Sequence, residues 1–262
     1  TLITDNIFHD WAQIFTVYRP AAEINGIGAK ISHNEFYNTH HSAIEICAAQ
    51  CDVEYNDIHD VCLAAGDGGA IYTWGKFTWA GNVFRYNYIH QVGDIINTAL
   101  GIERCGLGAG MFFDFWGRFS VCYGNVFVDV KGCCMCGASG HMTYRNNLCI
   151  NVGEPINISY WGVTEMPGAY DNTWIADDIR LYDYLNPIWR YSSPRTALFV
   201  EVANQTITPN CKDLPLAAAY NIVRNNVRYI DTSANVKSFD CDNKEIYTKD
   251  GIIRTSDYYF AL

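Results

Sequence analysis

Four carboxylates and a set of aromatic rings are the residues of this chain whose types and spacing suggest chemistry. Glu23 and Glu45 each stand 11 residues before an Asn, at Asn34 and Asn56, inside the short stretches Ala22-Glu23-Ile24 and Ile44-Glu45-Ile46. Asp114 ends a related stretch, Met111-Phe112-Phe113-Asp114, and Asp67 precedes another, Ile71-Tyr72-Thr73-Trp74. Alternating stretches point their first and third residues one way and their second and fourth the other. Stacked on one another, they place Glu23, Glu45, Tyr72, Phe112 and Met135 in one outward column and Cys47, Trp74, Asp114 and Gly137 in the next. Paired carboxylates cleave glycosidic bonds by acid, base or nucleophilic roles. Sugar C–H faces pack on aromatic rings, which makes Tyr72, Trp74, Phe112 and Trp116 candidate binding residues. His41 joins them as a side chain able to orient a substrate. Asp67 has a competing role as a turn residue capping Gly68-Gly69, and the glutamate column has one as a salt-bridge site for Arg19 or Lys30.

Such columns need an element that returns in register, and the sequence supplies one. An apolar residue, two others, Asn, one other and an apolar residue recur at Ile3/Asn6/Phe8, Ile31/Asn34/Phe36, Val53/Asn56/Ile58, Phe84/Asn87/Ile89, Cys122/Asn125/Phe127, Thr143/Asn146/Leu148 and Ile222/Asn225/Val227. The spacings are 28, 22, 31, 38, 21 and 79 residues, a minimum near 21 with variable excess. That is the mark of a solenoid whose loops differ while its strands keep register. Short β-branched and aromatic strands with Gly or Asn at the corners build an all-β, parallel β-helix, right-handed by the usual crossover preference. The six Asn residues from Asn6 to Asn146 are expected to stack as a corner column. Residues 1–160 form the coils, 161–220 a Pro- and Trp-rich excursion on the flank, and 221–262 the last coil and its closure.

Composition narrows the partners. The 262 residues are 49% hydrophobic and 15% aromatic, and 18 Lys plus Arg face 28 Asp plus Glu for a net charge of −10. That sign opposes phosphate tracking, so nucleic acid is not expected as a partner. No apolar run approaches the ~20 residues of a membrane span. The expected partner is a polysaccharide or other glycan. Eleven Cys and the sequons at Asn157 and Asn204 point to a secreted glycoprotein with disulfides. Cys133-Cys134-Met135-Cys136 lacks the second ligand pair of a zinc site and reads as core packing. Neither a metal nor another cofactor is expected. With no capping helix ahead of Ile3, a preceding segment or a second copy is expected to cover the amino-terminal end.

The phrases Asp67-Gly68-Gly69-Ala70-Ile71-Tyr72-Thr73-Trp74-Gly75 and Gly110-Met111-Phe112-Phe113-Asp114, the Asn-x-Ile-His pair ending in His59 and His90, and Asn186-Pro187-Ile188-Trp189-Arg190-Tyr191 resemble the β-helix proteins around glycoside hydrolase family 141 and related pectate-lyase-like carbohydrate-active domains. The resemblance implies a right-handed β-helix in which Asp67 and Asp114 are the catalytic acids. Two departures accompany it. Phe113-Asp114-Phe115 stands where that family often reads Leu-Asp-Asp, and Cys133 to Gly137 stands where it often carries a glycine-rich, Arg-containing stretch.

Three functions follow as alternatives. The first is a glycoside hydrolase using paired carboxylates on the coil face. The second is a non-catalytic structural or glycan-binding β-helix that assembles end to end into a fibre. The third is a polysaccharide lyase, with Lys76, Arg104 or Arg118 as its base, for which no acidic calcium cluster is evident.

Overall fold

The computed structural model describes residues 1–64, 66–74, 79–93, 108–114, 120–137, 142–158 and 221–230, and the backbone of strands at 235–243, 246–248, 251–253 and 259–261. The excursion expected over 161–220 falls outside the described residues, as do Trp116, Asn204, Lys76, Arg104 and Arg118.

Every described element is a strand, and each of the first six coils contributes three. The first coil is β1 (Leu2–Thr4), β2 (Ile7–His9) and β3 (Ala22–Ile27). The second is β4 (Lys30–Ser32), β5 (Glu35–Tyr37) and β6 (Ile44–Ala49), and the third β7 (Asp52–Glu54), β8 (Asp57–Val61) and β9 (Gly69–Thr73). Then come β10 (Val83–Arg85), β11 (Tyr88–Val92) and β12 (Ala109–Phe113), followed by β13 (Val121–Tyr123), β14 (Val126–Val130) and β15 (Cys133–Gly137). The sixth coil is β16 (Thr143–Arg145), β17 (Leu148–Ile150) and β18 (Glu154–Ile158). Like strands pair in parallel from coil to coil, and the third strands form their own six-stranded sheet, β18-β15-β12-β9-β6-β3. This is a parallel β-helix. β19 (Asn221–Ile230) pairs in parallel with both β16 and β17, and β20 (Asn235–Asn243) runs antiparallel along β19.

The core follows from strand alternation. Ile31, Val53, Phe84, Cys122, Tyr144 and Val223 project inward from the first strands, and Phe36, Ile58, Ile89, Phe127 and Cys149 from the second, all at most 2% exposed. Burying each large aliphatic or aromatic side chain contributes about 1.5–3 kcal/mol. The eight cysteines described are thiols, seven of them buried, and Cys51, Cys62, Cys122, Cys134 and Cys149 fill the core rather than bridge it. Burial pushes the Cys51 thiol up to about 11 and the Cys62 thiol up to about 12. Disulfides therefore find no support among these eight.

The corner column exists, with a correction at its far end. Asn6, Asn34, Asn56, Asn87, Asn125, Asn147 and Asn226 form it, not Asn146 and Asn225. Each Oδ1 accepts from both the backbone N–H and the Nδ2 of the preceding coil's Asn, as Asn87 does from Asn56 at 3.1 and 3.0 Å. Each residue before a ladder Asn takes the left-handed conformation: Asp5, His33, Tyr55, Tyr86, Gly124, Asn146 and Asn225 have φ between 53° and 66°. Asn tolerates that conformation well. Asn146 and Asn225 thus make the turn, and their neighbours make the ladder.

Candidate active site

The sheet of third strands holds the carboxylates on its outer face. Glu23 of β3 lies in register with Glu45 of β6, Glu45 with Tyr72 of β9, and Tyr72 with Phe112 of β12. The column continues through Cys136 and Asn157, because Met111 pairs with Met135 and Phe112 with Cys136. Met135 is therefore inward and fully buried, and the expected column was one residue out at this coil. A slip of one flips every side chain. Gly137 accordingly lies under Phe113 rather than under Asp114, and a Cβ there would meet the Phe113 carbonyl oxygen at 1.7 Å.

Asp114 follows β12 directly, its backbone N–H donating to the Thr73 carbonyl at 2.8 Å. Its half-buried carboxylate accepts from the Tyr72 hydroxyl at 2.7 Å. Asp67 precedes β9, yet the loop folds towards the same place: its exposed carboxylate accepts from the Tyr18 hydroxyl at 2.7 Å. Two carboxylates are thus each held by a phenol. The phenols register the crowding of negative charge. Hydrogen bonding to Asp67, then burial, then the charges of Asp67, Asp114 and Glu45 raise the Tyr18 pKa. Burial, then Asp114, then Asp67 push Tyr72 far above the ordinary phenol range.

Glu45, half-buried, accepts from the Trp74 indole N–H at 2.8 Å and from the Cys47 thiol at 3.5 Å. Burial first, and then the charges of Glu45 and Glu23, push that thiol up to about 12. Glu23 is exposed and accepts from Asn25 Nδ2 at 3.0 Å. For Glu23, Glu45 and Asp67 the hydrogen-bond donors among the described residues are neutral. The anticipated salt bridges go elsewhere: Lys30 pairs with Glu54, and Arg19 donates to the Tyr18 carbonyl.

The aromatic candidates divide by exposure. Trp74 is 46% exposed and meets Trp79 edge-on at 6.2 Å, so it presents apolar surface to solvent. Phe112 is half-buried against Tyr72, with ring centroids 5.4 Å apart. Tyr72 is only 4% exposed, so its contribution is its hydroxyl on Asp114. His41 is corrected from substrate contact to positioning residue: it is 1% exposed, and its Nε2 N–H donates to the Asp67 carbonyl at 2.9 Å. Burial lowers its pKa, against the pull of that hydrogen bond and of the Asp67 and Glu45 charges. Gly68 makes this approach feasible, since a Cβ there would lie 2.9 Å from His41 Nε2. Asn157, at a sequon, is half-buried on β18 and donates to Glu154 at 2.9 Å.

Tyr18 is the residue that sequence reasoning missed. It belongs to the segment between β2 and β3, where Ile14, Phe15, Val17 and Tyr18 are all exposed. The signal was that composition, since an apolar and aromatic run in an inter-strand loop is out of place unless it covers something.

No family model matches this chain, and no curated protein matches it. Among solved structures the comparison finds "The complex structure of XylC with xylose", at 14% identity and a TM-score of 0.29, covering 54% of this chain and 34% of that one. No helix among the described residues is long and apolar enough to cross a membrane.

Proposed function

We propose that this protein is a secreted carbohydrate-active β-helix protein that hydrolyses a glycan along the outer face of β3, β6, β9 and β12. The observation that carries the reading is the gathering of Asp114, Asp67 and Glu45, held by Tyr72, Tyr18 and the exposed Trp74 in turn, closely enough that all three charges act on Tyr18. Such a face offers what a sugar polymer needs, anionic acceptors for hydroxyls and an apolar ring for C–H faces.

In this reading Asp114 and Asp67 are the catalytic pair. One carboxyl gives its proton to the departing glycosidic oxygen, and the other activates a water molecule or attacks the anomeric carbon. Tyr72 and Tyr18 orient the two carboxyls, and His41 fixes the backbone that carries Asp67. Glu45 and Glu23 extend the face one and two coils further and bind hydroxyls of neighbouring sugar units.

The test is release of reducing sugar from a panel of plant and algal polysaccharides by the full chain. Turnover of at least one of them supports hydrolysis. Retention on a polysaccharide without turnover transfers the reading to a non-catalytic glycan-binding β-helix. Release of unsaturated products, absorbing in the ultraviolet, transfers it to a lyase.

A further inference from the structure

A second set of outward side chains, on the sheet of β2, β5, β8 and β11, has donors arranged for a cation. The register pairs His9 with Tyr37, Tyr37 with His59 and His59 with His90. Their rings stack in near-parallel fashion at 5.2, 5.2 and 4.7 Å. On the next coil the column passes to Val128, which closes the imidazole series at His90.

Both nitrogens of His59 and His90 have defined surroundings. His59 Nδ1 lies 2.8 Å from Asp60 Oδ2, and His90 Nδ1 lies 3.0 Å from Gln91 Oε1. Those oxygens only accept, so each Nδ1 carries the proton, and in a neutral ring Nε2 carries the lone pair. Yet His90 Nε2 lies 3.0 Å from Asp57 Oδ1, and His59 Nε2 lies 3.4 Å from Glu35 Oε1. A lone pair aimed at an anionic oxygen is repulsive unless something positive lies between them. A second proton is one answer; a metal ion is the other.

We infer that His59 Nε2, His90 Nε2 and the Asp57 carboxylate form a binding site for a divalent transition-metal ion of the zinc type, with Glu35 beside it as a further oxygen donor. The donor atoms of Asp57, His59 and His90 all lie within 4.8 Å of one another. Ligand bonds of 2.0–2.2 Å in a tetrahedral site bring donors to about 3.4 Å, so the rings tilt together as the ion enters. The imidazoles are only 18% and 17% exposed, while Asp57 is 47% exposed and free to adjust. Asp60 and Gln91 are the outer partners that hold ligating histidines in the correct tautomer. Both also line an open groove of about 630 Å³, together with Tyr37, Asn38 and Lys131, whereas the Nε2 atoms are reached from solvent past the exposed Asp57. Two imidazoles with a carboxylate select zinc-like ions over calcium or magnesium. The ion joins β8 to β11 across two coils, on a different sheet from the acidic face.

The test is calorimetric titration of the EDTA-treated full chain with ZnCl2, read together with thermal unfolding. One equivalent binds, Tm rises, EDTA reverses the rise, and CaCl2 and MgCl2 leave Tm unchanged. His59→Gln and His90→Gln each weaken zinc binding at least tenfold while each metal-free variant still unfolds in one cooperative transition. Asp57→Asn, an exposed change, weakens it as well, and His33→Gln, in another column, binds as the wild type does. Absence of zinc binding by the wild type overturns the inference. So does undiminished binding by the His59→Gln/His90→Gln double variant, which places the ion elsewhere, for example on the cysteine thiols.

Discussion

Glu54 and Glu45 are near neighbours in sequence with opposite surroundings. Glu54 ends β7, is 4% exposed, and is clasped by Lys30 Nζ at 2.7 Å on one side and by the Arg85 guanidinium on the other. Arg85 donates onward to the Tyr123 hydroxyl at 2.9 Å, so one chain of ion pairs and hydrogen bonds links four successive coils. Glu45, on β6, receives among the described residues only an indole N–H and a thiol, and its own column adds carboxylate to carboxylate. One solenoid carries both arrangements. On the first strands the outward groups satisfy each other and stabilise the stack, whereas on the third strands Glu23 and Glu45 meet only neutral donors among the described residues, as the proposed glycan site requires. A column that stabilises the coil is expected to respond to mutation in Tm, and a column that serves a ligand in turnover or affinity.

The largest effect is expected at Asp114. Asp114→Asn keeps the shape and the acceptor for Tyr72 while removing the carboxyl, and turnover on the substrate found by the panel falls about 10³-fold, the middle of the range for a general acid or base. Tm of that variant, followed by circular dichroism, changes little. Next comes the corner column. Asn87→Ala strands the buried Asn56 N–H and removes one partner each from the Asn56 amide and the Val53 carbonyl, while Asn125 Oδ1 keeps the backbone N–H of residue 87. At 1–3 kcal/mol per unsatisfied buried group, partly relieved by relaxation, urea unfolding records a loss of about 3 kcal/mol.

Glu54→Gln is smaller, about 2 kcal/mol, because a buried carboxylate loses its pairing while both cationic partners keep access to water. Its pH signature sharpens the comparison. Burial pushes the Glu54 pKa up, but the hydrogen bonds and charges of Lys30 and Arg85 outweigh it and hold the carboxyl below the usual glutamate range. A depressed folded value gives stability that is complete above the unfolded pKa of ~4.3 and is lost as pH falls through the lower folded one. The wild type therefore weakens over that acid interval, and Glu54→Gln flattens this part of its stability profile. Smallest is Trp74→Ala, where loss of one exposed ring weakens glycan binding by about 1 kcal/mol, or roughly fivefold, in affinity electrophoresis.

The parallel β-helix was legible because its corner writes itself into the sequence: the Asn phrase gives the coil, and alternation gives the faces. The ladder was misread only where Asn is doubled, at Asn146-Asn147 and Asn225-Asn226. Both positions of the turn accept Asn, and the residue that decides is three earlier, where the buried Tyr144 and Val223 belong inside rather than Thr143 and the exposed Ile222. Met135 was misplaced for a related reason. Cys133 to Cys136 offers no polar residue to mark an outward position, so its alternation has no phase. Glu23, Glu45, Tyr72 and Phe112 do share the expected column, its phase set by the polar and apolar alternation of Ala22-Glu23-Ile24 and Ile44-Glu45-Ile46. Asp67 precedes its strand in sequence while Asp114 follows one, and the loop held by His41 and Tyr18 brings it round towards Tyr72. Neither His59 nor His90 carries a ligand signature in the sequence, because they stand 31 residues apart and coil stacking is what brings their rings to 4.7 Å.

The measurement that tests the distinction between the two columns most directly is turnover and Tm determined together for Asp114→Asn and Glu54→Gln. Asp114→Asn should lose turnover at unchanged Tm, and Glu54→Gln should lose Tm at unchanged turnover measured well below its unfolding temperature. Full turnover in Asp114→Asn, with its loss appearing in Tm instead, would make the acidic face a structural column like the other and would contradict the assignment.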